Sequence, residues 1–200
     1  MKEIYLSIDI ETLGAVAGIH PMMSLGAVAV DAEGKNYGDF HQNLDAVEGL
    51  VNDPETMQWW KEQSIASISA LFKPEPRSAN DVMTDFWCFT AKLKDQCDDL
   101  IFAAAPAAFD IPFVAYYAQR FLGLKLVKRT FCIKSAAQAL LGFPAKTHLR
   151  DGVPAEWLRN VGGTLHNALD DARQQAAILV SVLQYWRDKS ARSNVLLPKT

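Results

Sequence analysis

Residues 4–11 alternate: Ile4, Leu6, Ile8 and Ile10 fall on one side, Tyr5, Ser7, Asp9 and Glu11 on the other. A period of two with β-branched residues predicts a strand. Met22 to Val30 reads as a second, apolar strand and Asn36 to Leu44 as a third, more polar one, joined by turns at Thr12 to Pro21 and Asp31 to Lys35. Such short connections imply an antiparallel meander. Asp53-Pro54-Glu55 predicts a helix start, with a capping side chain, a proline suited to the first turn and an acid at the positive end of the dipole. The helical run extends to Phe72, with a break expected near Ser64, and Lys73 to Pro76 is a loop. Ser78 with Asp81 opens another helix as a capping box, and its apolar stripe is Val82, Phe86, Phe89 and Leu93.

The second half alternates in type. Leu100 to Ala105 is a continuous apolar run, expected as a buried strand. The chain then turns at Pro106 to Asp110 into a helix that tolerates Pro112 in its first turn and ends at Gly123. Arg129 to Ile133 is a predicted strand, Ser135 to Leu141 a short helix, and 142–154 a loop. The last element is a helix from Asn167 to Lys189, whose buried face carries Ala168, Ala172, Ala176, Leu179, Leu183 and Trp186. Residues 190–200 are polar and expected to fray. The expected class is α/β: a mixed sheet, made of an antiparallel three-strand meander followed by parallel strands, flanked by helices. No repeat or linker interrupts the pattern, so residues 1–200 are expected to form a single domain.

Composition narrows this little. Half of the 200 residues are hydrophobic, enough for a sizeable core. No run of 18 apolar residues exists, so no membrane span is expected. The chain enters a strand almost at once, leaving no room for a signal peptide, and Cys88, Cys97 and Cys132 lack metal-site spacing. These features suggest reduced thiols and a cytoplasmic protein. The net charge of -3 advertises no global basic surface. The charge is segregated, however. Residues 111–150 hold no Asp or Glu and seven bases: Arg120, Lys125, Lys128, Arg129, Lys134, Lys146 and Arg150. A phosphate-tracking surface would look like this, and so would ordinary solvated faces clustered by chance.

Candidate chemistry lies at element ends. Asp9 and Glu11 share a strand face, roughly 6–7 Å apart at Cα. Paired carboxylates raise each other's pKa unless a cation intervenes, and hard cations such as Mg²⁺ or Mn²⁺ take oxygen ligands. A solvated strand face would read the same way. Asp110 sits where a buried strand becomes a helix, Asp171 in the first turn of the last helix, and both also suit an ordinary helix N-terminus. Ligands in open α/β sheets bind beyond strand ends, where such acids can converge. His166 is five residues before Asp171, so it can share their site only from outside the helix, with Asn167 as the cap. There it would be a movable general base or simply a surface histidine.

Ile8-Asp-Ile-Glu-Thr12, Ala107-Ala-Phe-Asp110 and His166-Asn-Ala-Leu-Asp-Asp-Ala172 resemble, in order and spacing, the three motifs of the DEDDh 3′–5′ exonucleases. The resemblance is greatest to a phage-type and bacterial branch of exonucleases and exoribonucleases, with Trp59-Trp60-Lys-Glu-Gln63 as a further shared feature, and it spans residues 4–180. Asp170 beside Asp171 is an oddity, and the spacing from His166 favours Asp171 as the family's carboxylate. Pro106-Ala-Ala replaces a polar residue that many relatives carry before Phe109-Asp110.

The resemblance implies a ribonuclease-H-like fold and a two-metal phosphodiesterase using two Mg²⁺ or Mn²⁺ ions. In it Asp9 bridges both ions, Glu11 and Asp171 ligate the first, Asp110 holds the second, and His166 deprotonates the attacking water. The partner implied is nucleic acid with a free 3′ end, single-stranded or as a 3′ overhang, and a homodimer stays open. DNA and RNA are not distinguished. Thr12, Leu13, Gly14 and Phe109 are implied contacts of the 3′-terminal nucleotide. Of Trp59 and Trp60 at most one stacks on a base, with Trp60 assigned to the substrate and core packing of both as the alternative. Lys125, Lys128, Arg129 and Lys134 are assigned to the strand upstream of the scissile phosphate. A non-catalytic nucleic-acid-binding module and a polymerase-associated proofreading subunit are the competing functions.

Overall fold

Ile4, Tyr5, Leu6, Ser7 and Ile8 are all buried, so the first strand is covered on both faces. That strand, β1 (Glu3–Thr12), is the centre of a five-stranded sheet with β2 (Met22–Val30), β3 (Asn36–Asn43), β4 (Asp99–Ala104) and β5 (Thr130–Cys132) in the order β3-β2-β1-β4-β5. The computed structural model describes residues 1–158 and 161–192. The β1–β2 and β2–β3 pairs are antiparallel and the β1–β4 and β4–β5 pairs parallel, as the sequence pattern predicts.

Helices α1 (Pro54–Lys61) and α2 (Ile65–Ala70) follow the meander, and the break between them falls at Ser64. Asp53 caps α1 by accepting from the Thr56 N–H, and Ser64 caps α2 by accepting from the Ser67 N–H. Next comes α3 (Ala79–Lys94), where Ser78 accepts from the Asp81 N–H and donates to its carboxylate. In α4 (Ala107–Leu122), Pro112 lies in the second turn rather than the first. It therefore removes a helical donor for the Ala108 carbonyl. Helix α5 (Ile133–Leu141) starts two residues earlier than expected, because β5 is only three residues long. The stretch expected as a loop contains a one-turn helix, α6 (Leu149–Gly152), and a 3-10 turn follows at Ala155–Leu158.

One layer of core lies between Ile4, Leu6, Ile8 and Ile10 of β1 and helices α3 and α4, with Phe86, Phe102, Phe113 and Tyr117 filling it. The other face packs Tyr5, Val28, Val30 and Ala103 against α5 and α7 (Ala168–Arg192). Helix α7 presents Ala168, Ala172 and Ala176 to the sheet, small enough to let its axis approach closely. Contact is tightest at Gly26, where a Cβ would lie 2.2 Å from the Ala168 carbonyl. Trp186, expected on this buried face, is 58% exposed, because the helix there has run past the sheet and Tyr185 packs on Trp157 instead. Residues 193–200, most of the tail expected to fray, lie outside the described residues. No helix among the described residues is long and apolar enough to cross a membrane.

Candidate active site

The alternation of β1 sends Asp9 and Glu11 to the α7 side, and Asp9 pairs across the ladder with Gly26. Because α7 lies hard against Gly26, its first turn carries Asp171 over that same end of the sheet. Asp110 arrives from the other side. The β1–β4 ladder ends at the Ser7–Ala103 pair, the strands part, and β4 turns into α4. Beyond the parting the Ile10 N–H donates to Asp110 Oδ1 at 3.2 Å, a side chain standing where no strand partner remains. This is the crevice at strand carboxyl ends where α/β proteins bind ligands.

Asp9, Glu11, Asp110, Asp171 and His166 line one cavity of about 210 Å³. Glu11, His166 and Asp171 offer ligand atoms within 4.8 Å of one another. No ion pair among the described residues involves any of the four acids. Burial raises the pKa values of all four, and repulsion from the neighbouring acids adds to it at Asp9 and Glu11. Asp9 lies well above the carboxylate range, through burial first and then the charges of Asp110, Glu11 and Asp171. Glu11 is pushed up to about 8 by burial and by Asp171 and Asp110. Burial takes Asp110 to about 7 against the pull of the Ile10 N–H, and Asp171 to about 6 against that of the His166 N–H. Asp170 faces elsewhere, accepting from the Thr164 N–H and from Arg173.

His166 precedes α7, as its spacing from Asp171 requires. Asn167 caps the helix through Oδ1, which accepts from the N–H groups of Leu169 and Asp170. The His166 N–H donates to Asp171 Oδ2 at 2.9 Å, and its φ of 59° puts a non-glycine residue in the left-handed region. Such backbone outliers cluster at functional sites. The loop is held by Ser67 of α2, whose hydroxyl donates to the Leu165 carbonyl at 2.7 Å. Burial, then the nearby His148 and Arg150, lower the His166 pKa.

A second cleft of about 240 Å³ adjoins the first and is lined by Glu11, Thr12, Gly14, Thr56, Trp59, Trp60 and Phe109. Trp60, assigned to the substrate from the sequence, is only 6% exposed and donates its indole N–H to the Thr12 carbonyl at 2.9 Å. Trp59 is the open one, 41% exposed and edge-on to His166 with ring centres 4.8 Å apart. The Leu13 backbone is engaged within the protein, its N–H on Pro21 and its carbonyl on the Asp53 N–H. At Gly14 a Cβ would lie 2.2 Å from His20 Cγ, so the close approach that requires glycine is made by His20.

The basic segment divides. Lys128 and Arg129 line a separate cavity with Asp99, which is ion-paired to Arg129. Asp99 pairs with Glu3 at the start of β1, six residues before Asp9, or ~20 Å along the strand. Lys125, in the connection from α4 back to β5, belongs to that remote end too. Lys134 alone of the four follows a strand's carboxyl end. Arg150 and His148 are the bases that reach the acidic cavity. Sequence reasoning also missed Gln174 and Gln175, buried on α7 beside Asp171. Their spacing from Asp171 was the available signal, since positions i, i+3 and i+4 share a helix face.

A central mixed sheet with three acidic segments and a loop histidine at its switch point has the ribonuclease-H-like architecture. The chain belongs to the 3'-5' exoribonuclease Rv2179c-like domain family, which residues 4–183 match. Its fold is similar to that of the nuclease domain of 3'hExo, a DEDDh family member bound to rAMP, with TM-score 0.63, 15% identity and 92% of each chain covered. It is also similar to cell-death related nuclease 4, with TM-score 0.65, 14% identity and 90% of this chain aligned to 64% of that one. E. coli exonuclease I in complex with a dT13 oligonucleotide aligns with TM-score 0.65 and 12% identity, and the 95% of this chain that matches spans 43% of that one. No curated protein matches the chain in sequence.

Proposed function

We propose that the chain is a divalent-metal-dependent 3′–5′ exonuclease. It would take nucleic acid with a free 3′ end, single-stranded or as a 3′ overhang, and release nucleoside 5′-monophosphates. RNA is the substrate assigned first, on the strength of the exoribonuclease family. The observation that carries the reading is the convergence of four carboxylates and His166 on one cavity, with no ion pair to any of the acids among the described residues. A non-catalytic module would have no use for so much unpaired buried acid.

Buried, mutually repelling carboxylates fit hard divalent cations, which take oxygen ligands. Glu11 and Asp171 would hold one ion, Asp110 a second, and Asp9 both. Bound there, two such ions would supply Lewis-acid polarisation of the phosphate and stabilise attacking and leaving oxygens. The chain's own residues do the rest. His166, whose lowered pKa keeps it neutral near pH 7, accepts the proton of the attacking water. Its contacts with Asp171, and Leu165's with Ser67, fix where the imidazole stands. The Trp59–Gly14 cleft receives the terminal nucleoside and orients the last phosphodiester over the acids.

The test is release of 5′-monophosphates from a 3′-labelled RNA with and without Mg²⁺ or Mn²⁺. Turnover that persists in EDTA, or in Asp9→Asn with metal present, defeats the reading.

A further inference from the structure

Gln175 is 9% exposed and donates from Nε2 to Asp9 Oδ1 at 2.6 Å. Its other amide atom, Oε1, is buried without a partner. A buried acceptor left unsatisfied is unfavourable. Turning the amide over would not relieve it, because that would face the carbonyl oxygen onto a carboxylate oxygen. The arrangement thus keeps an N–H on Asp9 at the expense of the carbonyl. No other hydrogen bond to the Asp9 carboxylate is present among the described residues.

From this we infer that Gln175 is a positioning residue for the metal site: it fixes the rotation of the Asp9 carboxylate by occupying Oδ1, so that the remaining lone pairs face Glu11, Asp110 and Asp171. The inference rests on the metal-dependent reading above. Asp9 stands among three other acids, and an unrestrained carboxylate there would swing away from them. An amide is the suitable restraint, since a lysine or arginine in its place would neutralise the charge that a cation must find. The i+4 spacing carries this out with one helix: α7 brings Asp171 to the site and, one turn later, the group that holds Asp171's opposite number on β1. Groups that orient a metal's ligands typically change affinity 10–100-fold when lost.

The experiment measures Mn²⁺ affinity by calorimetry in the full chain and in Gln175→Met, Asp9→Ala and the double variant. Methionine keeps the volume and removes the donor. Gln175→Met should weaken Mn²⁺ binding by roughly 10- to 100-fold, and should lower kcat while leaving KM for a short RNA within about threefold. In the Asp9→Ala background, where no acceptor is left for the amide, the same change should weaken binding by less than about twofold, because its only route of action is gone. Equal weakening in both backgrounds, or Mn²⁺ affinity unchanged in the single variant, overturns the inference. Absence of Mn²⁺ binding in the unaltered chain is a different result and overturns the metal-dependent reading itself.

Discussion

The Ile10 N–H and the Asp110 carboxylate meet at 3.2 Å across 100 positions of sequence. That bond stitches α4 to β1 where β4 has left it. In Asp110→Asn the amide oxygen can still accept from Ile10, so the fold should persist while the charge is lost. Activity should fall by more than the roughly 10–100-fold that losing a supporting partner costs. In EDTA the variant should melt at the same or a higher temperature than the parent, gaining roughly 2–4 °C per kcal/mol of relieved repulsion. Calorimetric melting with and without metal checks both halves, and a lower melting temperature in EDTA contradicts this account of Asp110.

The raised carboxylates set a pH dependence. A folded acid with a raised pKa binds its proton more tightly than the unfolded chain does, so its folding is favoured at low pH and disfavoured as pH climbs. With Asp171 near 6, Asp110 near 7 and Glu11 near 8, the metal-free protein should lose stability between about pH 4 and 8. At about 1.4 kcal/mol for each pH unit by which a group is raised, the total should be on the order of 10 kcal/mol. Mg²⁺ should flatten the curve by taking the protons' place. Denaturant melts at pH 5 and pH 9, in EDTA and in Mg²⁺, read this out directly; a curve rising with pH in EDTA would contradict it.

His166→Ala should lower kcat by roughly 10²–10⁴-fold, the range for a lost general base, with Mn²⁺ affinity changed only a fewfold. Abolished Mn²⁺ binding would instead make His166 a ligand, which its place among the clustered donor atoms also allows. Ser67→Ala, which frees the Leu165 carbonyl, should lower kcat in the same direction by a smaller factor.

Salt dependence should separate the two groups of bases. Each phosphate contact to a single strand contributes about 0.7 to the slope of log affinity against log salt. Arg150→Gln and Lys134→Gln should flatten the slope for a long RNA. Lys128→Gln and Arg129→Gln, at the far end of the sheet, should leave it unchanged. The opposite pattern would carry the strand around to the amino end of β4.

Gly26→Ala should displace α7. The added methyl meets the Ala168 carbonyl and the Leu169 nitrogen, both backbone atoms that cannot swing aside. Overpacking of this kind costs about 1–3 kcal/mol, and activity should drop further than stability because Asp171 moves with the helix. Wild-type kcat in this variant would mean that α7 is not what sets the site's geometry.

Much of this was legible in the sequence, for identifiable reasons. The alternation around Asp9 marked β1, the caps at Asp53 and Ser78 marked two helix starts, a break near Ser64 was expected, and the spacing of His166 from Asp171 required a loop histidine before α7. Other features carry no linear signature. Tyr5 and Ser7 look like a half-solvated face, which Phe131, α5 and α7 cover only in the folded chain. One turn of helix at Leu149–Gly152 is too short to show a period. The run of bases from Lys125 to Arg129 is conspicuous in sequence, yet a parallel crossover returns the chain to the opposite end of the sheet before β5 begins. Trp60 was assigned to the substrate because nothing local in the sequence tells that its indole N–H ends on the Thr12 carbonyl and leaves Trp59 as the exposed ring.

Outside α7 the loop that carries His166 rests on the Ser67 hydroxyl and on the Trp59–Trp60 ring pair. Both belong to the α1–α2 pair, and α1 also lines the second cleft through Thr56, Trp59 and Trp60. Under the proposed function, grip and chemistry therefore share one support. If the cleft holds the terminal base as proposed, substitutions in α1 that retune which base is held should also shift His166, so that selectivity and turnover rate could not be inherited as independent traits.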